Sequence, residues 1–158
     1  MSHFRLSRKN YSQCAALPFR RVQNGGLEIL LVTSRSRGRW IIPKGWPIRG
    51  LEPHESAARE ALEEAGLVGR IRKEAIGSFR YPKRLKSGLV ADCIVDVFPL
   101  EVQKHKGRWL EQGQREIRWF SVDDAATAIT ERKLQDIVRQ FAIDDGCGQE
   151  GFPVIQLT

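Results

Sequence analysis

Acid is scarce at the start of this chain. Residues 1–50 hold one carboxylate, Glu28, against ten lysines and arginines, a balance of +9; residues 51–158 hold eighteen acids against sixteen bases, a balance of −2. Charge so unevenly placed suits a polyanionic partner, and equally a basic solvated surface. Long apolar runs are missing, which excludes a membrane-spanning helix, and the opening MSHFRLSRKN lacks the apolar centre of a signal peptide. Cysteine is sparse: Cys14, Cys93 and Cys147 are an odd number without metal-ligand spacing. Cys14 and Cys93 lie in apolar runs and read as small buried hydrophobes, Cys147 lies in a glycine-rich tail, and a reduced, cytoplasmic protein is expected. No Ser-His-Asp pattern emerges, so His54 and His105 read as surface histidines.

What is present describes one globular domain over residues 1–158, with no repeat or linker, 41% hydrophobic and 28% charged. Strand patterns fall at 14–22, 27–35, 39–43 and 116–121, with Pro18 demoting the first to an edge or bulge. Glycine and proline mark 44–52 as a loop. Pro53 suits the first position of a helix that runs to Ala65, with Gly66 as its terminator. Residues 70–82 and 88–102 read as a long hairpin around a basic tip at 83–86, with Ala91, Cys93, Val95 and Val97 alternating with Asp92 and Asp96. Ser121 with Asp124 starts another helix, and Leu134, Ile137, Val138 and Phe141 stripe a last one. An α+β layered domain follows, its core about 12–142 and its terminal segments 1–11 and 144–158.

The chemistry concentrates in SAAREALEEAGL, residues 56–67. Side chains three and four apart meet on a helix, so Glu60, Glu63 and Glu64 form one cluster, and Arg59 is placed to pair with Glu63. Such oxygen donors suit Mg2+ or Mn2+, with water and substrate phosphate completing the shell. Ala58, Ala61, Leu62 and Ala65 form the expected packing face. By itself, E-x-x-E-E also describes a solvated helix face.

The surrounding spacing favours chemistry. Gly45 precedes Arg59 by fourteen residues, and Arg59, Glu60, Ala61, Glu63, Glu64, Gly66 and Leu67 fall in register with the box of the Nudix hydrolases, which the chain resembles. That box reads G, five residues, E, seven residues, then R-E-apolar-x-E-E-x-G-apolar. The chain departs from it at Leu51, where the first Glu is expected, with Glu52 adjacent. TSRSRGRWIIPKG, AGLVGRI and EIRWFSVDDA are similar to the branch of diphosphoinositol polyphosphate and diadenosine polyphosphate hydrolases. The resemblance implies a mixed sheet sandwiched between helices, a metal held chiefly by Glu60 and Glu64 with Glu63 assisting or anchoring Arg59, and contacts from Ser34 and Arg35 to substrate phosphates. It implies hydrolysis of a phosphoanhydride, with a general base that the box does not always supply; Glu111 and Glu116 are candidates.

A pyrophosphate chain needs more positive charge than one cation brings. Arg35, Arg37, Arg39 and Lys44 crowd the approach to Gly45, and Arg80, Lys83, Arg84 and Lys86 form a second basic group. Phe79, Tyr81 and Trp46 are candidates to stack a nucleobase, whereas Trp40 and Trp119 read as core. The expected partner is a small polyphosphate or nucleotide, with no membrane and no encoded oligomeric state. Two rivals stand beside this reading: an RNA 5′-pyrophosphohydrolase, and a non-catalytic module that binds a nucleotide or polyphosphate as a regulator. Basic residues are not interleaved with aromatics as in single-strand RNA binders, which weakens the first.

Overall fold

The computed structural model describes residues 10–23 and 25–147. The expected terminal segments lie outside the described residues at 1–9 and 148–158, as does the side chain of Cys147. Among the described residues, one mixed sheet of eight strands forms the frame: β1 (Asn10–Arg21), β2 (Leu27–Thr33), β3 (Trp40–Ile41), β4 (Lys44–Gly45), β5 (Leu67–Ile71), β6 (Gly77–Arg84), β7 (Val90–His105) and β8 (Ile117–Ser121). Its path runs β3-β2-β1-β7-β5, with β4 on β1, β6 on β7 and β8 on β2. Helices α1 (Pro53–Ala65), α2 (Val122–Ala128) and α3 (Arg132–Phe141) complete it, and a π-helical turn, Ala142–Cys147, follows α3.

Gln13 to Phe19 are buried without interruption, as a central strand covered on both faces must be. Helix α1 packs on β1, and α3 closes the sheet elsewhere, with Phe141 edge-on to Phe19 at 4.9 Å between ring centroids. The expected sandwich of sheet and helices is therefore observed.

The expected placement of Pro18 at an edge or bulge is corrected. Strand β1 pairs in parallel with β7, Pro18 opposite Leu100, and lies inside the sheet. The proline is tolerated because the other side of β1 changes partner there. Cys14 and Ala15 pair with β4, Phe19 to Arg21 pair with β2, and the Ala16 N–H donates to Pro43 O. Side chains and N–H groups alternate along a strand, so the N–H that Pro18 lacks would face this same handover point.

Two further expectations change. Residues 70–82 are not one hairpin arm: β5 ends at Ile71, β6 starts at Gly77, and both pair antiparallel with the sixteen-residue β7. Within the expected 44–52 loop, Lys44 and Gly45 pair with Ala15 and Cys14. The last strand, the Ser121 cap accepting from the Asp124 N–H at 3.1 Å, and the buried Leu134–Phe141 stripe agree with the sequence reading.

Candidate active site

Helix α1 starts at Pro53, its entry fixed by the Glu55 carboxylate accepting from the Glu52 N–H at 2.8 Å. Glu52 is thus occupied at the helix start and does not reach the cleft described below, and neither does Leu51. The helix ends at Gly66, with φ of 71°. A side chain there would be strained, and its Cβ would run into the Trp109 indole.

The buried stripe of α1 is rotated from the expected Ala58, Ala61, Leu62 and Ala65. It comprises Ser56, Ala57, Ala61, Glu64 and Ala65, which places a carboxylate beside alanines with 5% of its surface exposed. An acid on that stripe is costly unless it is paired. Arg115 approaches it at 3.6 Å, donates to the Glu111 carboxylate at 3.0 Å and to the Thr33 carbonyl at 3.0 Å, and is itself largely buried. Sequence reading missed Arg115: its i, i+4 spacing from Glu111 is visible, but nothing local links it to Glu64. The Glu111 N–H also donates to the Glu63 carbonyl at 2.9 Å, tying this loop to α1.

Glu60 lies against Glu64, their carboxyl groups hydrogen-bonded. Gly45 explains how it fits, because a Cβ at that position would fall on the Glu60 carboxyl group. Burial pushes Glu64 up to about 8, with the Arg115 guanidinium opposing the rise and the Glu60 carboxyl adding to it. Burial also raises Glu60; its hydrogen bond to Glu64 opposes the rise, and Glu63 and Glu111 add to it.

These acids open on a cleft of about 480 Å³. Glu60, Glu63, Glu64 and Glu111 line it on the side of α1, and Ser34, Arg35, Lys44 and Gly45 also reach it. Lys83, Arg115, Gln13 and Trp46 are further lining groups. Arg35 donates to the Gln114 amide oxygen at 3.1 Å, and the Ser34 hydroxyl accepts from the Arg39 N–H at 3.1 Å.

Several sequence candidates stand elsewhere. Arg37, Arg39 and Arg84 are exposed and outside the cleft lining. Glu116 is exposed beside β8, with its N–H donating to the Thr33 hydroxyl at 2.9 Å, whereas Glu111 reaches the cleft. Among the described residues, the expected Arg59–Glu63 ion pair is not formed. Arg59 instead borders a second hollow of about 340 Å³ with Leu62, Lys106 and Trp109. Phe79 is buried in the core, so it offers no ring to a base; Trp40 and Trp119 pack against the core as expected.

A helix that turns a carboxyl pair toward a cation-rimmed cleft over a mixed sheet defines the class. The chain belongs to the NUDIX domain family, whose model matches residues 15–141. Among curated relatives, Nudix hydrolase 13, mitochondrial, of Arabidopsis thaliana is 31% identical over 73% of this chain and 59% of its own length. Diphosphoinositol polyphosphate phosphohydrolase 3-beta of Bos taurus is 34% identical over 62% of this chain and 57% of its own. The chain thus spans about three fifths of the curated relatives it matches. In fold it resembles the crystal structure of a C. elegans Ap4A hydrolase, with TM-score 0.60 and 18% identity over 84% of this chain and 96% of that one.

Proposed function

We propose that this chain, as a single Nudix domain, hydrolyses a phosphoanhydride bond in a nucleoside-diphosphate-linked or polyphosphate substrate. Diadenosine polyphosphates and diphosphoinositol polyphosphates are the leading candidates. The observation that carries the reading is buried Glu64 with half-buried Glu60 against it, both facing a cleft with Arg35, Lys44 and Lys83 on its lining. The names of its relatives support the same chemistry.

Nudix hydrolases generally use divalent metal ions. Among the described residues, no three acidic, histidine or cysteine side chains converge tightly enough to hold an ion alone. Mg2+ and Mn2+ do not need such a cage, because one or two carboxylates suffice when substrate oxygens and water complete the shell. Two carboxyls forced together and raised by burial are what a hard cation would relieve, so the site fits. Glu60 and Glu64 would hold it, with Glu63 beside them. Bound there, such a cation supplies positive charge at the phosphate oxygens and acidifies water.

The remaining work falls to the chain. Glu60 and Glu64 would meet the cation as carboxylates, and Arg115 beside Glu64 keeps that side chain oriented. Glu111 reaches the cleft as the candidate to accept a proton from water, its carboxylate held by Arg115 at 3.0 Å. Arg35, Lys44 and Lys83 neutralise the phosphate chain, and Ser34 offers a hydroxyl. A cytoplasmic location is proposed with this activity, although several relatives carry mitochondrial or chloroplastic names.

A substrate panel in Mg2+ tests the proposal: diadenosine tetra-, penta- and hexaphosphate, a diphosphoinositol phosphate, ADP-ribose and 5′-triphosphorylated RNA. The expected result is cleavage of a diadenosine or diphosphoinositol polyphosphate by wild type and its sparing by Glu64→Gln. Cleavage of RNA alone would move the activity to the first rival reading. Equal rates for wild type and variant would overturn the assignment of Glu64, and tight binding without any turnover would make the chain a regulator.

A further inference from the structure

The two lysines of the cleft are each seated on an aromatic ring, in a crossed arrangement. Lys44 of β4 places Nζ 4.4 Å from the ring centroid of Tyr81 on β6 and donates to its hydroxyl at 3.2 Å. Lys83, two residues after Tyr81, places Nζ 5.7 Å from the ring of Trp46, two residues after Lys44. Each segment thus supplies one cation and one ring to the other. Period-two alternation puts Tyr81 and Lys83 on one face of β6, which is what the crossing requires.

Both rings are themselves held. The Tyr81 hydroxyl donates to Gln13 Oε1 at 2.7 Å, and Gln13 is buried in β1, so the oxygen that receives Lys44 has a fixed direction. Tyr11 meets Trp46 edge-on at 5.8 Å between centroids. An ammonium over a ring is attracted by the ring's quadrupole, and more strongly when water is partly excluded. Burial lowers the tendency of Lys44 to stay protonated, and the Lys83 charge lowers it further. The fold therefore keeps two cations facing one cleft although they repel, a cost that a chain of negative charges relieves.

We propose that Tyr81 and Trp46 are positioning residues of a two-lysine clamp that selects its ligand by the charge of its phosphate chain rather than by a base. Lys83 covers one face of Trp46, Lys44 covers Tyr81 and Phe79 is buried, so of the aromatics considered for base stacking only Trp46, 40% exposed, keeps open ring surface. The ligand class is a compound with three or more closely spaced phosphates. That such a ligand is then hydrolysed rests on the function proposed above; the clamp itself is tested by binding.

The experiment is calorimetric titration of the full chain with inorganic tripolyphosphate, orthophosphate and ATP, in chelator without divalent ions and at low salt. Wild type is expected to bind tripolyphosphate at least about tenfold tighter than orthophosphate, and ATP within about threefold of tripolyphosphate. Trp46→Leu and Tyr81→Leu are each expected to weaken tripolyphosphate about threefold to tenfold. Trp46→Phe should recover most of the loss because a ring remains, and Tyr81→Phe only part of it, because it keeps the ring but not the hydroxyl that receives Lys44. Leucine variants that fold and bind like wild type would overturn the clamp. So would phenylalanine variants as weak as the leucine ones, or ATP bound far more tightly than tripolyphosphate. Glu64→Gln separates the two claims, because it should lose turnover yet retain tripolyphosphate binding. A flat binding series beside normal turnover defeats only the clamp, and the expected binding series with no turnover defeats only the hydrolase reading.

Discussion

The acids and the cations of the cleft are built in opposite ways. Glu60, Glu63 and Glu64 come from little more than one turn of α1, so helical geometry alone brings them together. Arg35, Lys44, Lys83 and Arg115 come from the segment after β2, from β4, from β6 and from the loop before β8, and only the sheet assembles them. On the acid side Glu64 is buried against alanine and faced by one arginine, whereas the half-buried lysines lean on aromatic rings. A local constellation can be crowded until it demands a counterion; a dispersed one must be steadied, residue by residue, by neighbours the chain brings from afar.

Gly45 is where the two sides meet, and changing it should separate them most sharply. A Cβ in Gly45→Ala would collide first with the end of the flexible Glu60 side chain, which can swing aside. Turnover is expected to fall about a hundredfold while the melting temperature changes little and tripolyphosphate binding survives. A paired turnover and melting assay checks this; a large loss of stability would mean that Gly45 serves the backbone instead.

Arg115→Met should produce a smaller effect confined to the acid side. It removes the cation nearest Glu64 and releases Glu111, so kcat/KM is expected to drop about tenfold to a hundredfold. Steady-state kinetics in Mg2+ read it directly. An unchanged kcat/KM would show that the carboxyl pair needs no orientation from that loop.

The smallest expected effect is a pH dependence of stability. Without divalent ions, folded Glu64 titrates near 8, while the unfolded chain returns it to the ordinary range of about 4.3. The folded state therefore holds a proton that the unfolded state releases, so stability falls as pH rises through that window and levels off above it. Thermal melts from pH 5 to 9 should show this slope in wild type and a flatter one in Glu64→Gln. Added Mg2+ should raise the melting temperature more at pH 8.5 than at pH 6.

How legible each part was follows from the same contrast. The helix 53–65, its glycine stop and the acid cluster were readable because their signals lie within one or two turns. Pro18 misled because its tolerance depends on β4 and β2 meeting at that point of β1, a fact of pairing rather than composition. Ala61 and Ala65 were read correctly as the packing face, but Ala58 and Leu62 were included where Glu64 is buried, because burying Glu64 makes no sense until Arg115 is brought to it from fifty-one residues away. Among the arginines, density near Gly45 could not tell Arg35, which reaches the cleft, from Arg37 and Arg39, which do not.

The central claim is that Glu60 and Glu64 together hold a divalent cation. Electron paramagnetic resonance of free Mn2+, titrated with wild type, Glu60→Gln, Glu64→Gln and the double variant, tests it without requiring a substrate. The expected result is saturable loss of the free Mn2+ signal with wild type, weaker binding by about tenfold or more in each single variant, and none in the double variant. Undiminished Mn2+ binding by the folded double variant would contradict it.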